Sequence, residues 1–307
     1  MIEITLMNKY LKWTGATLGI IALVGLVYYV TVARLPQEDF SQSQILAAYE
    51  YQTGYSDFEV VSFTNRSREF TFSGFDGETV YGQLTLPDIG TPPYKVLVGV
   101  HAMGRSYPRW FNDVIKGRPT ITLVDKITEQ ALQKGYAVLA IDARYHGKRK
   151  VPEKPLRSIW NDMHFFGDKS DYQDMIINTV IDNRTLMDWI EEQTELDAND
   201  ITVAGYSMGG QVSLILGAVD DRIKQIVSIV PPFIDNKIAQ ASPLNLVSLI
   251  DQARVLMIYG ESDDVATPEQ NQKVFNAITS QDKQIDSFPG DHILPVEYVE
   301  KVANWLR

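Results

Sequence analysis

Ile201-Thr202-Val203-Ala204-Gly205-Tyr206-Ser207-Met208-Gly209-Gly210 is the stretch that decides the fold. Its first four residues form a short apolar run, as a strand buried on both faces requires. The next five spell G-x-S-x-G, and Met208 to Ala218 suits a helix. A serine on a tight strand-to-helix turn projects its hydroxyl above the edge of a sheet. Such a turn brings neighbouring backbone close, so side chains at the flanking positions would clash and glycine is needed there. The helix that follows points its N-terminus at the serine and favours developing negative charge. Three fixed positions recur by chance, so the bare motif is modest evidence. The strand before it and the helix after it give it weight.

Working outward, Val96 to Val100, Ala137 to Ile141, Ile226 to Val230 and Val255 to Tyr259 are further short apolar runs. Helical patterns lie between or beyond them at Ile121 to Lys134, Tyr172 to Gln193, Glu269 to Ile278 and Val296 to Leu306. Strands alternating with helices predict an α/β fold with a mostly parallel sheet covered on both faces. Upstream, Phe58 to Phe63, Arg68 to Phe72 and Thr79 to Leu86 read as strands, with Asp76-Gly77 as a hairpin turn. The sheet is therefore expected to start antiparallel. Internal repeats and low-complexity tracts are absent from the sequence.

A serine nucleophile needs a base, and the base needs an orienting carboxylate. With a G-x-S-x-G turn the chain order is serine, then acid, then histidine. One histidine follows Ser207, namely His292 in Gly290-Asp291-His292, just ahead of the last helix. The acid is expected in the segment Gly260 to Pro268, after the strand Val255 to Tyr259. Asp263 is the first choice, because three residues past the glycine fits a short loop; Asp264 is the second. Asp291 reads as a turn residue. The backbone N–H of Met208 is one expected oxyanion donor. The loop Val100-His101-Ala102-Met103-Gly104 is expected to supply the other from Met103. Losing one such donor typically costs about 3–4 kcal/mol of transition-state stabilisation. His101 precedes the nucleophile and reads as a structural loop residue.

With these residues in place, the chain from 67 to 307 resembles the α/β-hydrolases, especially bacterial dienelactone hydrolases, acetyl xylan esterases and the catalytic domains of prolyl-oligopeptidase-like peptidases. The resemblance rests on the hairpin Phe72 to Pro87, His101-Ala102-Met103-Gly104, Asp142 to Gly147, Asp197, Gly205 to Gly210, Gly260 to Pro268 and Gly290-Asp291-His292. It implies an eight-stranded sheet and a Ser207–Asp263–His292 triad that works without metal or cofactor. Ala102 departs from the family, which usually has glycine there; the loop loses some freedom but no donor. The family uses the Asp142 to Gly147 segment structurally. The activity implied is serine-dependent hydrolysis of carboxylic esters, small or polymer-linked. A prolyl-oligopeptidase-like peptidase and a catalytically silent binding protein on the same fold stay open as alternatives.

Composition sets outer limits. The chain has 307 residues, 45% hydrophobic and 22% charged, which suits a protein with a real core. Its net charge of −11 disfavours nucleic acid as a partner. The absence of cysteine excludes thiol nucleophiles and disulfides. Thr14 to Ala33 carries no charge. As a helix it would reach about 30 Å, so the expectation is one transmembrane helix over roughly 14–33 in an N-terminal anchor, residues 1–35. Lys9 and Lys12 on one side put the remainder, and the catalytic domain, outside the cytoplasm. Thr31-Val32-Ala33 leaves a cleaved signal peptide and secretion as the alternative. Residues 36–57 are expected to form a linker and a short docking helix, and 58–307 the catalytic domain.

Two loops carry expectations about substrate. Arg105 to Thr120 and the helix-poor Lys148 to Asp171 leave the sheet at strand ends that should face the site. Their aromatics, Trp160 and Phe165 foremost, are expected to line a substrate pocket or else to anchor the loops. Their basic residues, among them Arg105, Arg109, Arg118 and Arg149, suggest either an entrance that favours anions or simply solvated charge. Only about two dozen residues separate the strands 226–230 and 255–259, too few for a full helical cap, so the site is expected to be fairly open.

Overall fold

A computed structural model gives the fold. It describes residues 2–307, with side chains described for 13–14, 17–55 and 57–307. The strands are β1 (Ser56–Phe63), β2 (Ser67–Ser73), β3 (Thr79–Thr85), β4 (Tyr94–Val100), the short pair β5 (Val114–Ile115) and β6 (Arg118–Pro119), β7 (Ala137–Ile141), β8 (Leu196–Tyr206), β9 (Ile223–Ile229), β10 (Arg254–Gly260) and β11 (Lys283–Phe288). The helices are α1 (Ile2–Tyr28), α2 (Gln42–Ala47), α3 (Val124–Gln133), α4 (Leu156–Phe165), α5 (Ser170–Glu191), α6 (Met208–Val219), α7 (Pro268–Ala277) and α8 (Glu297–Trp305). They fall into two compact units, residues 1–36 with 156–172, and residues 37–155 with 173–307.

The larger unit is built on a nine-stranded sheet in the order β1-β2-β3-β7-β4-β8-β9-β10-β11. β1, β2 and β3 pair antiparallel, and β3 joins β7 antiparallel. From β7 to β11 every pairing is parallel. The inner strands are solidly apolar because both faces are covered. Leu97, Val138, Ala140, Ala204, Val227, Leu256 and Ile258 face a core shared with α3 and α8. Ile226 points the other way, against Gly217 of α6. Helix α2 is closed by a capping box from Ser41 and Gln44, and it buries Ile45. The Tyr49 hydroxyl just beyond it donates to the carbonyl of Gln240.

The count of nine corrects the expected eight strands. The strand without a sequence signal is β11, Lys-Gln-Ile-Asp-Ser-Phe. It lies at the sheet edge and is only half-buried along its length, so no apolar run marks it. A second difference is α4, which crosses the segment expected to be helix-poor. Ile159 and Met163, four residues apart, are its buried face.

The expected transmembrane helix is corrected outright. Among the described residues no helix is long and apolar enough to cross a membrane. The charge-free stretch runs past the end of the α-helix it contributes to. Regular α-helix ends at Tyr28, and Tyr29–Ala33 continues as π-helix. From Thr14 to Tyr28 that leaves about 22 Å of α-helix, short of the roughly 30 Å hydrocarbon core. Three glycines, two threonines and a terminal tyrosine further dilute its apolar character. The membrane is therefore withdrawn as a partner through this helix. Within the smaller unit the Tyr28 hydroxyl donates to the carbonyl of Phe165, 2.9 Å away, beside α4.

Candidate active site

Ser207 sits between β8 and α6 with φ 56° and ψ −117°. A non-glycine residue there is strained, and the strain is held by packed backbone. Ser207 N–H donates to the carbonyl of Ile229 at 2.8 Å. The surrounding glycines are required by distance. A Cβ on Gly205 would lie 2.0 Å from the Gly209 carbonyl oxygen, and one on Gly209 would lie 2.1 Å from that of Val100. The close approach of α6 to the end of β4 is thus written into the motif.

His292 lies in the loop after β11. Its Nε2 is 2.8 Å from Ser207 Oγ, and its Nδ1 is 2.8 Å from Asp263 Oδ2. The acceptor carboxylate fixes the proton on Nδ1, which leaves the Nε2 lone pair facing the serine hydroxyl. Asp263 follows β10 with its side chain fully buried, and its Oδ1 accepts from Val265 N–H at 2.8 Å. Asp264, the second choice for the acid, is exposed. The acid and base loops are tied directly: Glu261 N–H donates to Phe288 O and Ser262 N–H to Gly290 O. Asp291 caps its own turn by accepting from Ile293 N–H, which fits a turn residue.

The loop that carries Met103 and the turn that carries Met208 leave the same edge of the sheet. Val100 and Gly205 are register partners on β4 and β8, so the loop after β4 and the serine turn leave side by side. Among the described residues neither the Met103 nor the Met208 N–H has a hydrogen-bond partner within the protein.

The neighbouring loops are held by buried polar groups. His101 Nε2 accepts from Ala143 N–H at 3.0 Å, so its proton is on Nδ1, which donates to Ala102 O. Burial pushes this imidazole down to about 4, and it is neutral. His146, its ring centroid 5.0 Å from that of His101, is pushed down to about 3 by burial and by His101. Asp142 accepts from Tyr107 N–H and Lys148 N–H, pinning two loops with one carboxylate. Arg149 is buried and pairs with Asp182 at 2.6 Å, so it is no surface charge. Arg109 donates to Arg118 O and to Thr120 Oγ1. Partial burial, with Arg105 and Arg118 close by, lowers its basicity. Among the described residues no cluster of three or more His, Asp or Glu side chains is placed to hold a metal.

The two aromatics expected at the pocket belong to the smaller unit. Trp160 stacks on His164 at 4.0 Å between centroids and is half exposed, as is Phe165. Sequence reasoning overlooked Tyr206. Its hydroxyl donates to the His292 carbonyl at 2.9 Å and accepts from Leu294 N–H at 3.1 Å. A tyrosine on a strand read as buried needs a partner for its hydroxyl, and that was the available signal.

Comparisons with known proteins agree with this architecture. A family model described as the alpha/beta hydrolase fold matches residues 114–249. YtaP of Bacillus subtilis (strain 168), which bears a hydrolase name, is 26% identical over 137 residues, 45% of this chain; the match spans only 43% of that relative's length. Acetyl xylan esterase 1 from Thermoanaerobacterium sp. JW/SL YS485 superposes with a TM-score of 0.65 at 19% identity, covering 86% of this chain and 90% of its own. An acetyl xylan esterase from Paenibacillus sp. R4 gives 0.59 at 16% identity, covering 86% and 91%. Likeness at such identities speaks for the fold alone. Strand order, the glycine-framed serine turn and these matches agree on one architecture, the α/β-hydrolase fold.

Proposed function

We propose that the protein is a serine hydrolase that cleaves carboxylic esters through an acyl-enzyme. The observation that carries the reading is the hydrogen-bonded series from Ser207 Oγ through His292 to Asp263, each link 2.8 Å. In this reading Ser207 Oγ attacks the ester carbonyl carbon and its proton passes to His292 Nε2. Asp263 Oδ2 holds the Nδ1–H and stabilises the imidazolium. The developing oxyanion takes hydrogen bonds from the N–H groups of Met103 and Met208. As the C–O bond breaks, His292 returns the proton to the leaving alcohol. Water then repeats the sequence on the acyl-enzyme, releasing the acid and Ser207.

His292 is about a quarter exposed while Asp263 is wholly buried. That gradient suits a base that must reach a substrate and an acid that must only orient it. Two structural neighbours carry acetyl xylan esterase names, which makes acetyl and other short-acyl esters the first substrates to try. The test is labelling by a fluorophosphonate probe together with hydrolysis of p-nitrophenyl acetate. Wild type is expected to label and turn over, and Ser207→Ala to do neither. Labelling that survives the substitution would reject Ser207 as nucleophile.

A further inference from the structure

The residue before the nucleophile is tied to the base. Tyr206 lies at the end of β8, 1% exposed, with its ring at 80° to that of His292 and 6.3 Å away between centroids. Its hydroxyl is engaged twice in the same loop, as donor to His292 O and as acceptor from Leu294 N–H. Among the described residues no other hydrogen bond holds the backbone of 292 or 294. On its N-terminal side the loop is fixed at Gly290 O by Ser262 N–H and by the turn of Asp291. On its C-terminal side the phenol is the fixing point.

We infer that Tyr206 is a positioning residue for the base: its hydroxyl fixes the backbone on both sides of the His292 carbonyl, so that Nε2 is delivered to Ser207 Oγ. This rests on the serine-hydrolase reading. The arrangement has a geometric economy. Tyr206 and Ser207 share a peptide bond, so any movement of the nucleophile turn carries the anchor of the base with it. The hydroxyl is a neutral phenol throughout the working range, since burial pushes it up to about 12. It can therefore donate to a carbonyl and accept from an amide at once. Misplacement of a catalytic group by about 1 Å can cost on the order of a hundredfold in rate.

The experiment compares wild type with Tyr206→Phe, which keeps the ring and removes only the hydroxyl. For p-nitrophenyl acetate, kcat is expected to fall roughly ten- to a hundredfold with KM unchanged. The acid limb of the kcat/KM profile is expected to shift, because the imidazole no longer meets Asp263 in the same geometry. The downfield proton resonance of the His292 Nδ1–H is expected to move or broaden. A merely structural tyrosine would lower the melting temperature and leave these three readouts in place; that result overturns the inference. If the phenylalanine variant fails to fold, Tyr206→Trp supplies the test. It fills the site and keeps a donor but cannot accept from Leu294 N–H. An intermediate loss of kcat supports the inference, and a wild-type kcat and pH profile overturns it. Failure of wild type to label with fluorophosphonate would instead reject the hydrolase reading itself.

Discussion

A Cβ placed on Gly260 would lie 2.2 Å from the carbonyl oxygen of Asp291. The last residue of β10 and the residue before His292 therefore touch backbone to backbone, at the seam where the acid loop meets the base loop. Any side chain at 260 must drive the two loops apart, because a backbone atom cannot rotate away. Gly260→Ala is expected to lower kcat on a short-acyl ester by about a hundredfold or more, through separation of Asp263 from His292. Steady-state kinetics on a folded variant checks this. A kcat within twofold of wild type would show that the seam can open without moving the imidazole.

Asp263 and Asp264 are adjacent in sequence and opposite in surroundings. The first is buried against His292 and Val265 N–H; the second is exposed. Asp263→Asn places an amide where the Nδ1–H must be received and favours the wrong imidazole tautomer, a change that costs about 10⁴ in kcat in a serine protease. A loss of that order is expected here. Asp264→Asn is expected to stay within about twofold of wild type. Equal losses in both variants would contradict the assignment of the acid.

Two buried imidazoles make the fold sensitive to mild acid. His101 and His146 are held near 4 and 3 when folded, against about 6.5 when unfolded. The folded values are the lower ones. Their contribution is therefore complete above about pH 6.5 and is lost as the pH falls toward 4 and then 3. Between pH 6.5 and 5, before most carboxylates titrate, the unfolding free energy is expected to drop by about 2 kcal/mol for each imidazole. Urea unfolding at both pH values measures it. His146→Phe is expected to remove its share of that slope. A wild-type stability that is flat across this interval would contradict the burial argument.

The sheet could be read from its centre outward because the parallel strands are buried on both faces, as at β4 and β7. Such strands must be written as unbroken apolar runs. β11 is half-buried and left no such mark. Ser207, Asp263 and His292, which the structure joins by hydrogen bonds, stood out because the chain offers one histidine after the motif and a single acidic loop after β10. Trp160 and Phe165 carry no comparable signal, since an aromatic in a long excursion reads the same whether it faces a pocket or solvent. The charge-free N-terminal stretch misled for a related reason. Counting uncharged residues says nothing about where regular helix stops, and here it stops at Tyr28.

Two glycines of α6 separate the demands of the site from those of packing. A Cβ on Gly209 would meet the Val100 carbonyl oxygen at 2.1 Å, whereas one on Gly217 would meet Ile226 Cδ1 at 2.0 Å. The distances are alike but the obstacles differ. The carbonyl belongs to the end of β4, next to the loop that bears Met103, and it cannot yield without moving that strand. The Ile226 obstacle is side chain, Cγ1 at 2.8 Å as well as Cδ1, and it yields by a side-chain shift that costs about 1 kcal/mol. A helix interior also gains about 1 kcal/mol from glycine to alanine, so the two effects nearly cancel at 217. Gly217→Ala is thus expected to keep wild-type kcat and a melting temperature within a few degrees. Gly209→Ala is expected to lose at least a hundredfold in kcat, because in the proposed mechanism it spreads the Met103 and Met208 donors apart. Paired kinetics and thermal unfolding on the two variants read this directly. Similar losses from both would mean that α6 responds as one rigid body, and that the backbone contact at Gly209 has no special bearing on the reaction.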